Sequence, residues 1–333
     1  MGLSPVKIIF TPIIGFILFL WSRILLSLSS NSRFIMWISL EMNILGFLPL
    51  MSFNGNKILE NTIKYFLIQG ISSSVFLIFS ILSILFYRDL FDLVLLISLI
   101  VKLGTSPFHM WFISLIGVVS LNTLFILSTI QKLIPLIIIS TLNFSTVFLY
   151  IFVFLNSITI FYSGRVSKNL NSVLAFSRIN NLRWIFVSVA TNFSMTIFYF
   201  LIYLFLIIGV LILFWRPRNC VPTQIVMSRL GYGVISLFTI FSLAGLPPLI
   251  GFLGKLFIVK QIFDPTLITL FVILMFSSLF ILLFYMGFTY SGVTMVPYNK
   301  QFQKPKNMSS IICIYTRVLL GFNLFRFLIP YVS

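Results

Sequence analysis

From Phe193 to Phe214 no side chain carries a charge, and apolar stretches of similar length recur along the chain. A helix of about 20 apolar residues crosses the roughly 30 Å hydrocarbon layer of a bilayer. Inside that layer every backbone N–H and C=O must be satisfied within the protein, which leaves helices or a closed barrel. Barrel strands alternate apolar and polar residues over short segments, and these runs do not. Across 333 residues, 60% are hydrophobic and 8% charged. The chain is read as an all-α, polytopic membrane protein.

Eleven spans are expected, at about 8–28, 34–53, 61–87, 90–107, 121–143, 145–163, 171–191, 193–214, 231–262, 266–290 and 309–331. They form one transmembrane domain over 1–333, with a core at about 37–260 and C-terminal spans at 266–331. With eleven crossings, Lys7, Lys57, Arg165, Lys168, Arg216, Arg218, Arg229, Lys300, Lys304 and Lys306 share the side of the N-terminus. Only Arg33 and Arg88 face the other. Basic loops stay on the matrix or cytoplasmic side, so the N-terminus is expected there and the C-terminus opposite. The first apolar run is too long and too poorly terminated for a cleaved signal peptide, and it lacks the Arg-rich, amphipathic look of a transit sequence.

The formal charge of +17 invites a nucleic-acid reading. However, the basic residues are scattered through short loops and form no basic domain, so membrane topology and anionic phospholipid headgroups account for them. Cys220 and Cys313 are far apart, and His109 is the one histidine, so no metal site or disulfide framework is indicated. No glycine-rich phosphate loop is present, and no redox cofactor has a visible home. Forty phenylalanines fit the thymine-rich codons of an organelle genome and carry no structural argument.

Against this background, charges inside the spans stand out. Lys102 lies about 20 Å along a helix entering near Asp89. An ammonium at that depth costs about 2.5–3.5 kcal/mol on insertion scales, so such residues face a bundle interior or water and mark ion paths. Gly104 and Pro107 then break the helix, and broken backbone at membrane depth is tolerated only where it lines protein or water. Lys132 sits in the middle of the next span. Pro135 behind it frees a backbone carbonyl. Lys255 follows a second break, Gly245-Leu246-Pro247-Pro248. Glu41 lies about 10 Å inside span two. For each residue the plain alternative is a structural ion pair or a carboxyl kept neutral by burial. Glu60 and Lys64 are read as an interfacial i,i+4 pair. Arg178 and Arg183, in a span polar enough to be tilted or discontinuous, are read as snorkelling to headgroups or pairing with another subunit. Lipid or neighbouring-chain contacts are the plain account of Arg317 and Arg326.

The two broken helices lie five spans apart, an odd offset that gives them opposite orientations. Two inverted five-helix repeats with broken helices at matching positions are a known transporter architecture. Glu41, Lys102, Lys132 and Lys255 would then form a row of titratable groups in low dielectric. A carboxylate beside an ammonium holds the proton there, and its withdrawal or neutralisation releases it. Each proton moved against the membrane potential requires about 2.3 kcal/mol per 100 mV.

Five motifs carry a resemblance: Ser39-Leu40-Glu41-Met42-Asn43, Lys102-Leu103-Gly104-Thr105-Ser106-Pro107-Phe108-His109-Met110-Trp111, Gln131-Lys132-Leu133-Ile134-Pro135, Phe176 to Trp184, and Leu243 to Phe252. Together they resemble the antiporter-like membrane subunits of respiratory complex I, in the shortened form of animal mitochondria. The resemblance implies proton translocation, with proton-transfer roles on Glu41, Lys102, Lys132 and Lys255. For His109 it implies a candidate relay; a cap on the broken helix is the equal alternative. It also implies the mitochondrial inner membrane, other complex I membrane subunits as partners, and no cofactor bound by this chain. NADH, FMN, iron-sulfur clusters and ubiquinone would belong to other subunits. Arg178, Arg183 and Gly254 depart from the family pattern. A stand-alone cation/proton antiporter and a structural membrane scaffold are the competing readings.

Overall fold

The computed structural model describes residues 5–52, 56–86, 89–142, 145–166, 170–214, 230–247, 249–261 and 268–294. Pro248, the basic turn from Arg216 to Pro222, both cysteines, and the expected last span with Arg317 and Arg326 lie outside the described residues. All secondary structure among the described residues is helical. The chain divides into two compact units, Met1–Leu149 and Tyr150–Ser333.

The first unit contains α1 (Pro5–Ser29), α2 (Arg33–Ser52), α3 (Asn56–Phe86), α4 (Asp89–Leu103), α5 (Met110–Ile116), α6 (Leu121–Ser128) and α7 (Ile130–Thr141). Helices α1 to α4 pack in succession, and α7 lies against α1, α2 and α4. Buried Leu40, Ile44, Phe47, Leu96, Leu99, Ile134 and Ile138 fill this centre. At one rim Arg33 pairs with Asp92 at 3.0 Å and also donates to Ser83, tying the start of α2 to the end of α3 and the start of α4. Lys64 and Glu60 form the expected i,i+4 pair at 2.5 Å, well exposed.

The second unit holds most of α8 (Thr146–Val166), then α9 (Leu170–Thr191), α10 (Phe193–Phe214), α11 (Leu230–Ala244), α12 (Ile250–Gln261) and α13 (Ile268–Thr294). Helix α10 packs against α9, α11 and α12, and α13 covers α9 and α11. Serines within both units return their hydroxyls to carbonyls three residues back, as Ser98 does to Leu95 at 2.6 Å and Ser188 to Ile185 at 2.7 Å. This satisfies the hydroxyl where apolar surroundings offer no water.

Five helical stretches among the described residues are long and apolar enough to cross a membrane: 33–51, 59–86, 121–141, 193–211 and 268–287. The broken elements are shorter; α4 and α11 have 15 residues each and α12 has 12. Two expectations change. The span at 121–143, read as continuous, is interrupted at Thr129, whose φ and ψ are −119° and −76°. Its hydroxyl takes the Phe125 carbonyl at 2.7 Å while Lys132 N–H turns back to the Thr129 carbonyl at 3.1 Å. The helix therefore restarts at Ile130, two residues before the lysine. Pro135, by contrast, continues within α7 and only removes the donor that Gln131 C=O would have met. The span with Arg178 and Arg183, read as discontinuous or tilted, is the unbroken helix α9, which removes the discontinuous reading.

Candidate functional site

The α4 break is built by backbone hydrogen bonds. Gly104, at φ +67°, donates to Ile100 and Val101 carbonyls at 3.1 and 3.2 Å, and Thr105 N–H reaches Ile100 at 3.4 Å. This is the Schellman pattern, which uses a left-handed glycine to stop a helix and satisfy its last carbonyls. Trp111 Nε1 closes the break from the far side by donating to the Val101 carbonyl at 3.2 Å. Lys102 stands in the last turn of α4, where the negative end of the helix dipole favours a cation.

Lys102 is 7% exposed and Lys132 3%. The two line the same cavity, together with Asn43, Tyr65, Gln69, Trp111, Phe112 and Gln131. Its volume is about 20 Å³. That holds about one water molecule, and the polar groups in its wall exceed the two to four that a buried water needs. The Lys102 ammonium has no hydrogen-bond partner among the described residues. It interacts electrostatically with Glu41, and no ion pair within 4.0 Å joins the two. Glu41 itself is partly buried and accepts a hydrogen bond from Ser73. The Lys132 ammonium lies 4.6 Å from the Phe112 ring centre. That is within cation–π range.

His109 is placed apart from this wall. It occupies the position before α5 and makes no side-chain cap to that helix. Its Nδ1 lies 3.2 Å from the Pro107 carbonyl, so that nitrogen carries the proton in this contact, since a carbonyl only accepts.

The second unit repeats the local device. Gly245, at φ +81°, donates to Phe241 and Ser242 carbonyls at 3.1 and 3.0 Å, and Leu246 N–H reaches Phe241 at 3.2 Å. Lys255, 4% exposed, comes from the following helix α12 and donates its ammonium to the Ala244 carbonyl at the end of α11. It also lies 5.7 Å from the Trp184 ring centre. Gly254 is a close approach: a Cβ there would stand 2.7 Å from the Tyr199 ring.

Arg178 and Arg183 overturn the snorkelling expectation. They are 3% and 0% exposed, in the packed face of α9. Arg183 Nη2 donates to Asn180 Oδ1 at 2.6 Å and interacts with Lys255 and Tyr199, while Arg178 interacts with Tyr203 and Tyr285. The sequence holds no acidic residue between Asp92 and Asp264, so tyrosines and amides surround these cations.

Residues overlooked in the sequence are the uncharged polar ones. Asn43 donates to Gln131 Oε1 at 2.7 Å, Tyr65 to the same oxygen at 3.3 Å, and Gln69 to the Lys102 carbonyl at 3.2 Å. The signal was an amide and a phenol four residues apart on α3, and so on one face of it.

Buried lysines beside helix breaks, with a carboxylate close to one, are features of an antiporter-like membrane protein. The chain belongs to the NADH:quinone oxidoreductase/Mrp antiporter transmembrane family, whose model matches residues 86–281. It is 32% identical to the NADH-ubiquinone oxidoreductase chain 2 of Anopheles gambiae, over 92% of this chain and 94% of that protein. It is 33% identical to the protein of the same name from Artemia franciscana, over 81% of this chain and 86% of that one. The fold matches a chain of respiratory complex I from Thermus thermophilus with a TM-score of 0.79 at 19% identity, covering 97% of this chain and 80% of that one. A chain of the Mrp complex from Dietzia sp. matches with a TM-score of 0.71 at 18% identity, covering 89% and 61%.

Proposed function

We propose that this chain is a proton-translocating, antiporter-like membrane subunit of NADH:ubiquinone oxidoreductase, respiratory complex I, in the mitochondrial inner membrane. Glu41, Lys102, Lys132 and Lys255 carry the proton, and quinone reduction elsewhere in the complex drives it. The observation that carries this reading is the cavity lined by both Lys102 and Lys132. Two buried ammonium groups facing one water-sized space repel each other when both are charged. Protonation of one therefore disfavours protonation of the other, and a proton passes between them through the cavity. The nearby Glu41 carboxylate biases it toward Lys102.

Lys255 serves the second unit in the same way, at the C-terminal end of a half-helix. The matching hydrogen-bond patterns at Gly104 and Gly245 support a repeated local device, read as two inverted repeats within eleven spans, and the basic loops favour the N-terminus toward the matrix. His109 is a relay candidate on one side of the first break. Neighbouring antiporter-like chains and phospholipids cover the outer faces. Electron carriers reside in other subunits.

The test is NADH-driven proton pumping, with quinone reduction followed in parallel, in assembled enzyme carrying Lys132→Met. Reduced pumping or coupled turnover in a fully assembled complex is expected. Unchanged pumping, or a complex that fails to assemble, supports a scaffold whose buried charges only lock helices.

A further inference from the structure

Tyr65, Gln69 and Ser73 follow one another at a spacing of four along α3 and so share one face. Each hydrogen-bonds to a different member of the site. Tyr65 donates to Gln131, the neighbour of Lys132, at 3.3 Å. Gln69 donates to the backbone carbonyl of Lys102 at 3.2 Å. Ser73 donates to the carboxylate of Glu41. The order along α3 is therefore Lys132, Lys102, Glu41, over about 12 Å of helix at 1.5 Å per residue.

We propose that the Tyr65–Gln69–Ser73 stripe of α3 is the positioning rail of the proton path, setting the three titratable groups in line; this rests on the proton-relay reading above. Each contact fixes a different property. Gln131 Oε1 accepts from both Asn43 and Tyr65, so its amide cannot turn over without losing two hydrogen bonds. Its Nε2, buried and without a partner among the described residues, is thereby held in the wall of the cavity shared by the two lysines. Gln69 reaches a carbonyl in the last turn of α4, where the ladder of intrahelical bonds ends, and so fixes the turn from which Lys102 projects. Ser73 restrains the carboxylate whose distance from Lys102 sets how strongly the ammonium is held.

Tyr65 separates positioning from packing. Its ring packs on Phe47 and Trp111 at 5.4 and 5.7 Å, contacts that phenylalanine retains. The experiment compares Tyr65→Phe, Ser73→Ala and Ser73→Thr with Lys132→Met in assembled enzyme, reading protons pumped per NADH oxidised and complex content on native gels. The rail predicts normal complex content with at least a twofold fall in protons per NADH for Tyr65→Phe and Ser73→Ala. Ser73→Thr, which keeps the hydroxyl, is restored. A ratio unchanged in both, while Lys132→Met lowers it, overturns the rail and leaves the proton reading standing. Loss of the complex in both overturns it too, because the hydroxyls then hold helices together. An unchanged ratio in Lys132→Met removes the proton reading itself.

Discussion

The ammonium of Lys255 donates to the carbonyl of Ala244, so a side chain from the second half-helix closes onto the end of the first. That carbonyl has no intrahelical donor, and the helix dipole leaves it partially negative. A lysine there therefore satisfies the broken backbone while being held by it. Lys102, in the last turn of α4, uses the same end of a half-helix without making such a bond, and its ammonium remains directed to the cavity.

Gly245 lies beneath the Lys255 side chain, and a Cβ there would stand 2.6 Å from Nζ. Its positive φ adds strain of about 1–2 kcal/mol for an alanine. Gly245→Ala is expected to lower complex content and pumping together. Gly245→Asn, whose side chain tolerates the backbone angle, still collides with Lys255 and fails similarly. Gly287→Ala, which meets nothing within 4 Å, serves as the silent control. Native gels and pumping assays read all three, and a fully active Gly245→Ala enzyme would refute the close approach.

The Phe112 ring attracts the Lys132 ammonium from 4.6 Å. Such contacts contribute about 0.5–2 kcal/mol, depending on desolvation. Phe112→Leu is expected to lower coupled NADH:ubiquinone turnover by about twofold to about thirtyfold, the range that energy spans. Phe112→Tyr retains the ring and stays near the unsubstituted rate. Equal rates for Leu and Tyr variants would show that the ring face contributes nothing.

Asn180 is a direct partner of the Arg183 guanidinium, at 2.6 Å. A hydrogen bond to a charged group contributes about 1.5–3 kcal/mol, and removing only one partner leaves the charge buried. Asn180→Ala is therefore expected to lower the thermal stability of the assembled complex more than Arg183→Met, which takes the charge away. Melting followed by loss of coupled activity decides this, and the reverse order would contradict it.

The Arg33–Asp92 pair is partly open, with side-chain exposures of 30% and 17%. Pairs of that kind contribute about 0.2–1 kcal/mol. In a double-mutant cycle of Arg33→Gln and Asp92→Asn, thermal melting should report a coupling energy within that range and little change in pumping. A coupling several times larger would give this rim a greater role than tying three helix ends together.

The charged members of the site were legible because the bilayer makes them so. Lys102, Lys132 and Lys255 each interrupt an apolar run, and an ammonium there is expensive enough to need a reason. The breaks beside Lys102 and Lys255 were equally legible, since Gly and Pro remove or redirect backbone hydrogen bonds. The break before Lys132 was not, because Thr129 carries no such mark; its hydroxyl capture of the Phe125 carbonyl depends on the local turn. Arg178 and Arg183 were misread for a related reason. Exposure is decided by which face of α9 meets α10, α12 and α13, and a charged residue alone suggests the solvent side.

By itself, the sequence determined that the chain is a bundle of membrane helices and that two of them are broken at Gly and Pro, because hydrocarbon leaves unpaired backbone and charge so few options. Its motifs also marked the family. Only the tertiary structure decided which polar groups meet. Tyr65, Gln69 and Ser73 are ordinary residues within α3, and they matter because packing brings Gln131, Lys102 and Glu41 to the same face. A hydrogen bond acts over about 3 Å, and contacts across 32 to 66 residues of sequence exist only once the helices have packed.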